Sequence, residues 1–288
     1  MKILHCADIH LGSKINHTLK QISKERKSAI RLTFYNMIKY AKENSIPVII
    51  LAGDVFDCDA PTIKDKEYFY NAIKSNPGID FLYLRGNHDS LESYQEQLPN
   101  LKTFNEEWTS YEYEDIVITG IEITKSNATA IYSTLKLSAD KKNIVVLHGQ
   151  IGDSSGVDKI NLTKLRGKNI DYLALGHIHS YQTDKLDDRG IYVYSGCLEG
   201  RGFDELGEKG FVVINSNSQK LEHQFIPFSS KEILEIPFDL TGVKSAYDIS
   251  KRIEQNFHEN KENIIRIILT GEIPFELENA TEDIISQL

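Results

Sequence analysis

Five short groups of aspartate, asparagine and histidine residues each follow an apolar run in this sequence. The groups are Asp8-Ile9-His10, Gly53-Asp54-Val55-Phe56-Asp57, Gly86-Asn87-His88-Asp89, His148-Gly149 and Gly176-His177-Ile178-His179. Side chains of these types, mixed in one site, suit manganese, iron, zinc or cobalt better than calcium or magnesium, which prefer oxygen ligands alone. The number of ligand-type residues in these groups is about right for two metal ions that share one carboxylate. The pattern therefore predicts a dinuclear metal site.

Two such ions can hydrolyse a phosphate ester. Ions about 3.5–4 Å apart can clamp the attacking and leaving oxygens of an in-line displacement, and they lower the pKa of a bridging water from about 15.7 toward neutrality. Hydroxide then forms at neutral pH without a dedicated base. A histidine near the leaving oxygen can supply its proton. His88 is the candidate, because a neighbouring Asn87 or Asp89 can bind metal while the imidazole faces the substrate.

The predicted strands and helices explain how these groups can meet. Buried strands are predicted directly before the five groups, over residues 2–7, 47–52, 80–85, 142–147 and 171–175. Helices are predicted from about residue 23 to 43 and from about 63 to 74. Alternating strands and helices indicate a largely parallel sheet. Since sites in such sheets form at the carboxyl ends of the strands, we expect all five groups at one edge.

The second half of the chain has a different pattern. A hairpin is predicted over residues 111–121 and a short helix near 128–138, and four extended runs follow at 181–185, 190–194, 210–215 and 221–227, spaced by turns as in antiparallel structure. The fold class is therefore α/β (α+β), a two-sheet β sandwich flanked by helices. A strand, a helix and a strand complete the chain as a small C-terminal β-α-β cap. The predicted domains are residues 1–228 and 229–288.

Composition and charge limit the class of protein. The chain has 288 residues, of which 40% are hydrophobic, and no apolar run approaches the roughly 18 residues of a membrane span. Three cysteines without metal spacing and the absence of a signal-peptide pattern favour reduced thiols and a cytoplasmic location. The net charge of −9 argues against a polyanionic partner, although two divalent ions would offset it locally. The basic run over residues 20–31 is interpreted either as a solvated helix face or as a phosphate contact.

The five groups, in this order, resemble the calcineurin-like metallophosphoesterase superfamily, and the resemblance covers about residues 1–228. Within that superfamily the chain is similar to the SbcD-type DNA repair exonucleases. The segments that carry this second resemblance are 3–12, 53–57 followed by Pro61-Thr62, Tyr194-Ser195-Gly196, Phe203-Asp204-Glu205 and Lys209-Gly210.

The resemblance implies a role for each matching residue. One metal would take Asp8, His10 and His179, and the other would take Asn87, His148 and His177. Asp54 would bridge the two, and His88 would act on the leaving group. Asp57 stands where relatives have either aspartate or histidine, so its role stays open. Two further residues are candidates on their position alone, namely Asp89 as a partner that holds His88 and Arg201 as a phosphate contact.

The resemblance also implies cofactors and partners. Manganese would be the activating ion, DNA the substrate, an SbcC-like coiled-coil ATPase the partner, and a homodimer through the first helices the assembly. The C-terminal β-α-β would be the beginning of a DNA-capping domain. Relatives usually continue through this cap into an ATPase-binding tail, so we expect either that the chain is truncated after Leu288 or that it is a short member of the family.

The predicted function is a metal-dependent DNA exonuclease of double-strand-break repair that can also cut single strands internally. One alternative keeps the chemistry and changes the substrate, as in a phosphatase or a cyclic-nucleotide phosphodiesterase. The G-D-x-x-D-R-G and G-N-H-E forms typical of protein phosphatases are absent from the sequence, which counts against that version. The other alternative is a non-catalytic DNA-end-binding subunit, for which an incomplete ligand set would be expected, whereas the set here is complete.

Overall fold

The computed structural model describes residues 1–15, 20–57, 61–89, 97–154, 156–217, 220–257 and 263–272. The chain separates into two compact units. The first comprises Met1–Glu199 and Glu208–Ser230, and the second comprises Gly200–Gly207 and Lys231–Leu288. The domain boundary predicted after residue 228 stays a prediction, and no sequence pattern indicated that the segment Gly200–Gly207 belongs with the C-terminal unit.

Six strands form the first sheet. Their order is β14 (Glu222–Pro227), β13 (Gly210–Asn215), β1 (Lys2–Cys6), β2 (Val48–Ala52), β3 (Asp80–Leu84) and β4 (Leu101–Thr103). The strands β1 to β4 are mutually parallel, whereas β13 and β14 are antiparallel to their neighbours. Two helices, α1 (Lys20–Glu43) and α2 (Ile63–Lys74), connect the first three strands. This is the alternating pattern that the sequence predicts.

Six further strands form the second sheet. Their order is β11 (Gln182–Lys185), β12 (Ile191–Tyr194), β10 (Tyr172–Gly176), β7 (Lys142–His148), β6 (Ile116–Gly120) and β5 (Thr109–Tyr113). The hairpin of β5 and β6 lies where it was predicted. The helix predicted near residues 128–138 is only one turn long, α3 (Ile131–Thr134). The small elements β8 (Gln150–Ile151), β9 (Lys159–Ile160) and α4 (Leu162–Leu165) precede β10.

The continuous apolar runs of the sequence are strands that are buried on both faces. In β2, Ile49 and Leu51 pack in a core with α1 and α2, whereas Val48, Ile50 and Ala52 pack in a second core with strands of the other sheet. Successive side chains of a strand point to opposite faces, so a strand between two apolar layers must be apolar throughout. The predicted two-sheet sandwich flanked by helices is confirmed.

Polar contacts fix the two long helices on the first sheet. The helix α2 begins with a reciprocal cap, because the Thr62 hydroxyl accepts from the Asp65 N–H and the Asp65 carboxylate accepts from the Thr62 N–H at 2.9 Å. Arg31 of α1 donates to the same carboxylate at 2.6 Å. The Arg26 guanidinium of α1 is buried and donates to the Glu199 carboxylate at 2.6 Å. The basic run of α1 therefore joins elements within the fold at two of its positions.

The last four extended runs of the first unit do not form one antiparallel meander. The strands β11 and β12 are antiparallel to each other, but β12 is parallel to β10. The strands β13 and β14 lie in the first sheet, where β13 is antiparallel to β1. Alternating polarity shows that a segment is extended and which of its faces is apolar. It does not show which strand will be its neighbour, because that depends on packing between distant parts of the chain.

The second unit contains the predicted β-α-β. Its strands β15 (Ile233–Asp239) and β16 (Ile264–Thr270) are parallel, and α5 (Ala246–Phe257) connects them. Arg266 of β16 lies over the Phe203 ring, with its guanidinium carbon 4.2 Å from the ring centroid. Over the described ranges of both units, none of the helices has the length and apolar character needed to cross a bilayer.

Candidate metal centre

The strand ends bring the candidate ligands to one edge of the sandwich. Asp8, Asp54 and Asn87 follow β1, β2 and β3 of the first sheet, while His148 ends β7 and His177 follows β10 of the second. The strands β1, β2 and β3 are parallel and in register, as are β7 and β10, where Gly176 pairs with His148. The carboxyl ends of parallel strands lie at the same edge. Each sheet therefore contributes part of the ligand set.

One group of ligand atoms comes from Asp8, His10 and His179, and these atoms lie within 4.8 Å of one another. The Nε2 atoms of His10 and His179 are 3.3 Å apart, and the Nε2 atom of His179 is 4.0 Å from an Asp8 carboxylate oxygen. Two ring nitrogens this close cannot both carry a proton without repulsion. The donor set therefore suits a cation that accepts lone pairs from both imidazoles.

A second group comes from Asp54, His148 and His177. The Nε2 atom of His148 is 3.3 Å from an Asp54 carboxylate oxygen and 3.0 Å from the Asn87 amide oxygen, which is also 3.2 Å from the His177 Nδ1 atom. The Nδ1 atom of His148 lies 2.9 Å from the Ala52 carbonyl oxygen. Since that carbonyl can only accept, Nδ1 carries a proton and Nε2 is the atom available to a metal.

Asp54 of the second group also interacts with the first group. Its charge acts on His148 of the second group and on His10 of the first. One of its carboxylate oxygens also accepts from the His88 N–H at 2.8 Å. This position is the one expected of a carboxylate shared by two ions.

Burial and charge shift the protonation of this centre. Burial raises the pKa of Asp8 to about 6, with the His148 charge opposing the shift and the Asp54 charge adding to it. Burial acts in the same direction on Asp54, but the charge and hydrogen bond of His148 hold its pKa below the usual range. Burial lowers the pKa of His148, but the Asp54 and Asp8 carboxylates outweigh it and raise this pKa to about 9. In the metal-free protein, protons therefore offset part of the negative charge of this centre. Two bound cations would neutralise that charge instead.

The turns that follow the strands have an unusual backbone. Asp8, His10, Asp54 and His177 all have positive φ angles, of 51°, 52°, 52° and 100° respectively. Residues other than glycine rarely adopt this left-handed region. The sharp reversal turns each side chain back over the strand ends, where the ligand atoms meet.

Glycines beside the ligands allow close approach of the chain. A Cβ atom on Gly53 would collide with the His148 ring, and one on Gly86 would collide with the Asp54 carboxylate. A Cβ on Gly176 would collide with the Ala52 carbonyl oxygen. The glycine in each of these three motifs is therefore required by space around the ligands.

His88 lies on the side of the first group. Its Nδ1 atom is 3.4 Å from an Asp57 carboxylate oxygen, and its ring centroid is 5.2 Å from that of His10. Asp89, proposed as the residue that holds the His88 ring, makes different contacts. Its carboxylate accepts from the backbone N–H groups of Phe56 and Gly86 at 2.8 and 2.9 Å and so ties the turn after β2 to the turn after β3. Asp57 is therefore the carboxylate beside the His88 ring.

Comparison with known proteins agrees with this geometry. The family model of calcineurin-like phosphoesterases matches residues 1–181. This chain belongs to the calcineurin-like phosphoesterase family. Phosphoesterases of this fold use divalent metal ions, and the two groups described above supply suitable ligands.

Two relatives align with nearly the whole of this phosphoesterase. The metallophosphoesterase YhaO of Bacillus subtilis is 24% identical over 297 residues, which cover 95% of this chain and 72% of YhaO. The DNA double-strand break repair protein Mre11 of Sulfolobus acidocaldarius is also 24% identical, over 95% of this chain and 76% of Mre11. Among solved structures, TT1561 of Thermus thermophilus has a TM-score of 0.51 and 13% identity, and the match covers 78% of this chain and 98% of TT1561. This last likeness shows the fold.

Several positively charged residues of the phosphoesterase are held by carboxylates. Arg201 donates from Nε and Nη2 to the Glu205 carboxylate at 2.9 and 2.6 Å, within the second unit. Its assignment as a phosphate contact stays a prediction. Arg26, which is 3% exposed and bound to Glu199, is neither a solvated residue nor available to a phosphate.

Sequence reasoning assigned no role to three residues near the centre, although one of them, Lys209, lies in a segment that carries the resemblance. The buried Lys209 donates to the backbone carbonyl of His179 at 3.0 Å. Arg85 forms a two-bond ion pair with Glu122 beside Asn87. The position of Arg85, directly before Gly86-Asn87-His88-Asp89, was a usable signal. The contacts of Lys209 and Glu122 join residues far apart in the chain, so no local pattern could reveal them.

Proposed function

We propose that this phosphoesterase is a metal-dependent nuclease that hydrolyses phosphodiesters at DNA ends. The observation that carries the proposal is the alignment with Mre11, which extends over 95% of the chain and so continues past residue 181, where the phosphoesterase match ends. The complete ligand set at the strand ends supports hydrolysis over binding alone.

The residues of the chain have distinct roles in this proposal. Two divalent cations, which we propose to be manganese, supply a water of lowered pKa and neutralise phosphate charge when bound. Asp8, His10 and His179 would hold one cation, and Asn87, His148 and His177 would hold the other, with Asp54 available to both. Both sets project from rigid strand ends, so the phosphate is held in one orientation.

His88 is proposed to donate a proton to the leaving oxygen. Its ring lies beside His10 at the first group, where a bound phosphodiester would be within reach. The Asp57 carboxylate lies 3.4 Å from Nδ1, which leaves Nε2 as the ring nitrogen that can face the substrate.

We further propose a cytoplasmic role in double-strand-break repair, with an SbcC-like coiled-coil ATPase as partner and a homodimer as the assembly. The likeness to a protein named for this repair supports the role. The dimer is supported by large apolar side chains exposed on the first two helices, namely Leu32 and Tyr35 of α1 and Ile63 of α2, which are 55%, 54% and 76% exposed.

A second candidate is a phosphodiesterase for small substrates. The net charge of −9 favours it, as does the ion pairing of Arg26 and Arg31 within the fold. Both observations reduce the positive charge available to a polyanion.

The test compares linear DNA with bis(p-nitrophenyl) phosphate, each with manganese and with EDTA. Metal-dependent loss of both substrates supports the nuclease, whereas cleavage of the small diester alone supports the second candidate. His88→Ala should lower the rate on DNA by about 10²–10⁴-fold while DNA binding persists. His223→Gln, a change in a half-buried histidine that contacts Tyr181, is the control and should have no effect. Unchanged hydrolysis by His88→Ala would refute the assigned role.

A further inference from the structure

A small cleft adjoins the second group of metal ligands. It has a volume of about 190 Å³ and shares Asn87 and His148 with the metal centre. Its other walls include Arg85 and Glu122 on one side and Val157 and Asp158 on another. A ligand in this cleft would therefore touch whatever the metal centre holds.

The charges that line the cleft do not suit a phosphate. The Arg85 guanidinium donates from Nε to the Glu122 carboxylate at 2.8 Å and makes a second bond to its other oxygen. Both side chains are largely buried, at 15% and 6% exposure, so each neutralises the other. Apart from His148, which belongs to the metal centre, the charged residues of the lining are Arg85, already matched by Glu122, and the Asp89 and Asp158 carboxyl groups, which add negative charge. A second phosphate placed here would meet repulsion.

Asp158 is fixed close to the metal centre. Its carbonyl oxygen accepts from the Gln150 N–H at 2.9 Å, two residues beyond His148. Its charge also acts on His177. A neutral group that donates hydrogen bonds, such as a sugar hydroxyl or the exocyclic amine of a base, would find an acceptor at this carboxylate.

The size of the cleft restricts the ligand further. Pockets for drug-sized ligands are about 300–1,000 Å³, and this cleft is smaller, at about 190 Å³. It has room for one ring system, and Val157 together with Ile123 supplies apolar surface against which a ring can pack. Of the parts of a DNA chain, the base of a single nucleoside fits this description and a phosphate does not.

We propose that this cleft is a subsite for one nucleoside of the substrate, adjacent to the scissile phosphate on the side of Asn87 and His148, and that it discriminates against a further phosphate at that position. The inference rests on the proposed nuclease function. It adds to that function a preference for a nucleoside with a free hydroxyl over one that carries a second phosphate.

The first test uses two esters with the same leaving group. These are methyl p-nitrophenyl phosphate, which cannot fill the cleft, and thymidine 5′-(p-nitrophenyl phosphate), which can. Val157→Trp should fill the cleft and lower kcat/KM on the thymidine ester at least tenfold, with no change on the methyl ester. Asp153→Asn, on the same loop but outside the cleft lining, is the control and should leave both values unchanged.

The second test addresses charge and does not depend on filling the cleft. The thymidine ester with an added 3′-phosphate should be cleaved more slowly than the unmodified ester by the wild-type protein. Asp158→Lys should reduce or reverse that preference, because it replaces the repelling charge with an attracting one. The ratio of the two rates is insensitive to any loss of folded protein.

The outcomes distinguish failure of the proposed subsite from failure of the proposed nuclease function. If wild-type protein cleaves DNA with manganese but Val157→Trp affects both esters equally, and Asp158→Lys leaves the 3′-phosphate preference unchanged, the subsite is refuted and the nuclease stands. If wild-type protein cleaves the methyl ester and not DNA, the proposed function is refuted and the subsite falls with it.

Discussion

Three histidines of the candidate metal centre make a further contact besides those of their ligand atoms. The His148 ring is turned by the Ala52 carbonyl, and the His177 N–H donates to the Asp8 carboxylate at 3.0 Å. The carbonyl of His179 accepts from Lys209. Contacts of this kind orient ligands, and their loss typically reduces metal affinity.

Lys209→Met should weaken metal binding about 10–100-fold. The substitution keeps the length of the buried side chain but removes the ammonium that fixes the His179 carbonyl at 3.0 Å. Calorimetric titration of the metal-free protein with manganese measures the effect without any assay of activity.

Lys142→Met provides a matched control. Lys142 also donates to a backbone carbonyl, that of Ser216 at 2.8 Å, but it lies at the amino end of β7, whereas His148 lies at the carboxyl end. Its replacement should leave manganese affinity unchanged. Equal losses in the two variants would show that the effect of Lys209 is general destabilisation.

His5 should make the protein sensitive to acid. Burial lowers the pKa of this histidine to about 3, and its Nδ1 atom lies 3.0 Å from the Tyr172 hydroxyl between the two sheets. A depressed pKa contributes stability above the unfolded value of 6.5, and that stability is lost as the pH falls below it. The slope should reach at most about 1.4 kcal/mol per pH unit.

Urea unfolding in EDTA at several pH values measures this slope. His5→Gln can still bond to Tyr172 but does not titrate, so its stability should fall less between pH 6.5 and pH 5. The same slope in variant and wild type would mean that other groups cause the acid sensitivity.

At the scale of elements, the strand ends are close enough together that glycine is required between them. Gly86→Ala should lower activity at least about 10²-fold, since a Cβ there overlaps the Asp54 carboxylate and displaces it. Gly86 does not have a positive φ angle, so the effect is steric. Gly78→Ala, whose Cβ meets nothing within 4 Å, should leave the hydrolysis of bis(p-nitrophenyl) phosphate unchanged. Wild-type activity in Gly86→Ala would show that Asp54 can move without loss.

The elements also show what the sequence could predict. The strands before the five groups, the helices α1 and α2, and the hairpin of β5 and β6 follow from local periodicity and from the motifs at their ends. The neighbours of β12 and β13 could not be predicted, because one joins β10 and the other joins β1 through packing between distant segments. The segment Gly200–Gly207 belongs to the second unit for the same reason, because it packs with residues that are distant in the sequence.

In the candidate site, too, some features follow from local sequence patterns and others depend on packing between distant segments. The candidate ligands could be selected from the sequence because each group has a recognisable spacing, and the structure brings these residues together at one edge, while their roles as metal ligands stay a prediction. The partners of the ligands were not readable from spacing. Asp89 binds backbone N–H groups and Asp57 lies beside His88, and only the paths of the turns after β2 and β3 decide between these two arrangements.

At the scale of the first unit, bound metal should link the two sheets. The first sheet contributes Asp8, His10, Asp54 and Asn87, and the second contributes the three histidines 148, 177 and 179. Since ions bind the folded arrangement and not the separated strands, manganese should raise Tm, and EDTA should reverse the increase.

This increase in Tm should depend on pH. In the metal-free protein the pKa of His148 is raised from 6.5 to about 9, so its charged form contributes stability below 6.5 that is lost as the pH rises through 9. A cation must displace that proton. The manganese-induced shift should therefore be larger near pH 8.5 than near pH 6.5, as measured by thermal unfolding at a fixed metal concentration. An equal or smaller shift at the higher pH would contradict this assignment of charge.

The left-handed backbone at Asp8, His10, Asp54 and His177 has a consequence for engineering. Such conformations each cost a residue other than glycine about 1–3 kcal/mol, and here they coincide with buried carboxylates that repel each other. Substitutions that relax these turns are therefore among those that a screen for thermal resistance would select. Such a screen would favour changes at the residues proposed to bind the metals. Variants of this protein should be ranked by turnover before they are ranked by heat tolerance.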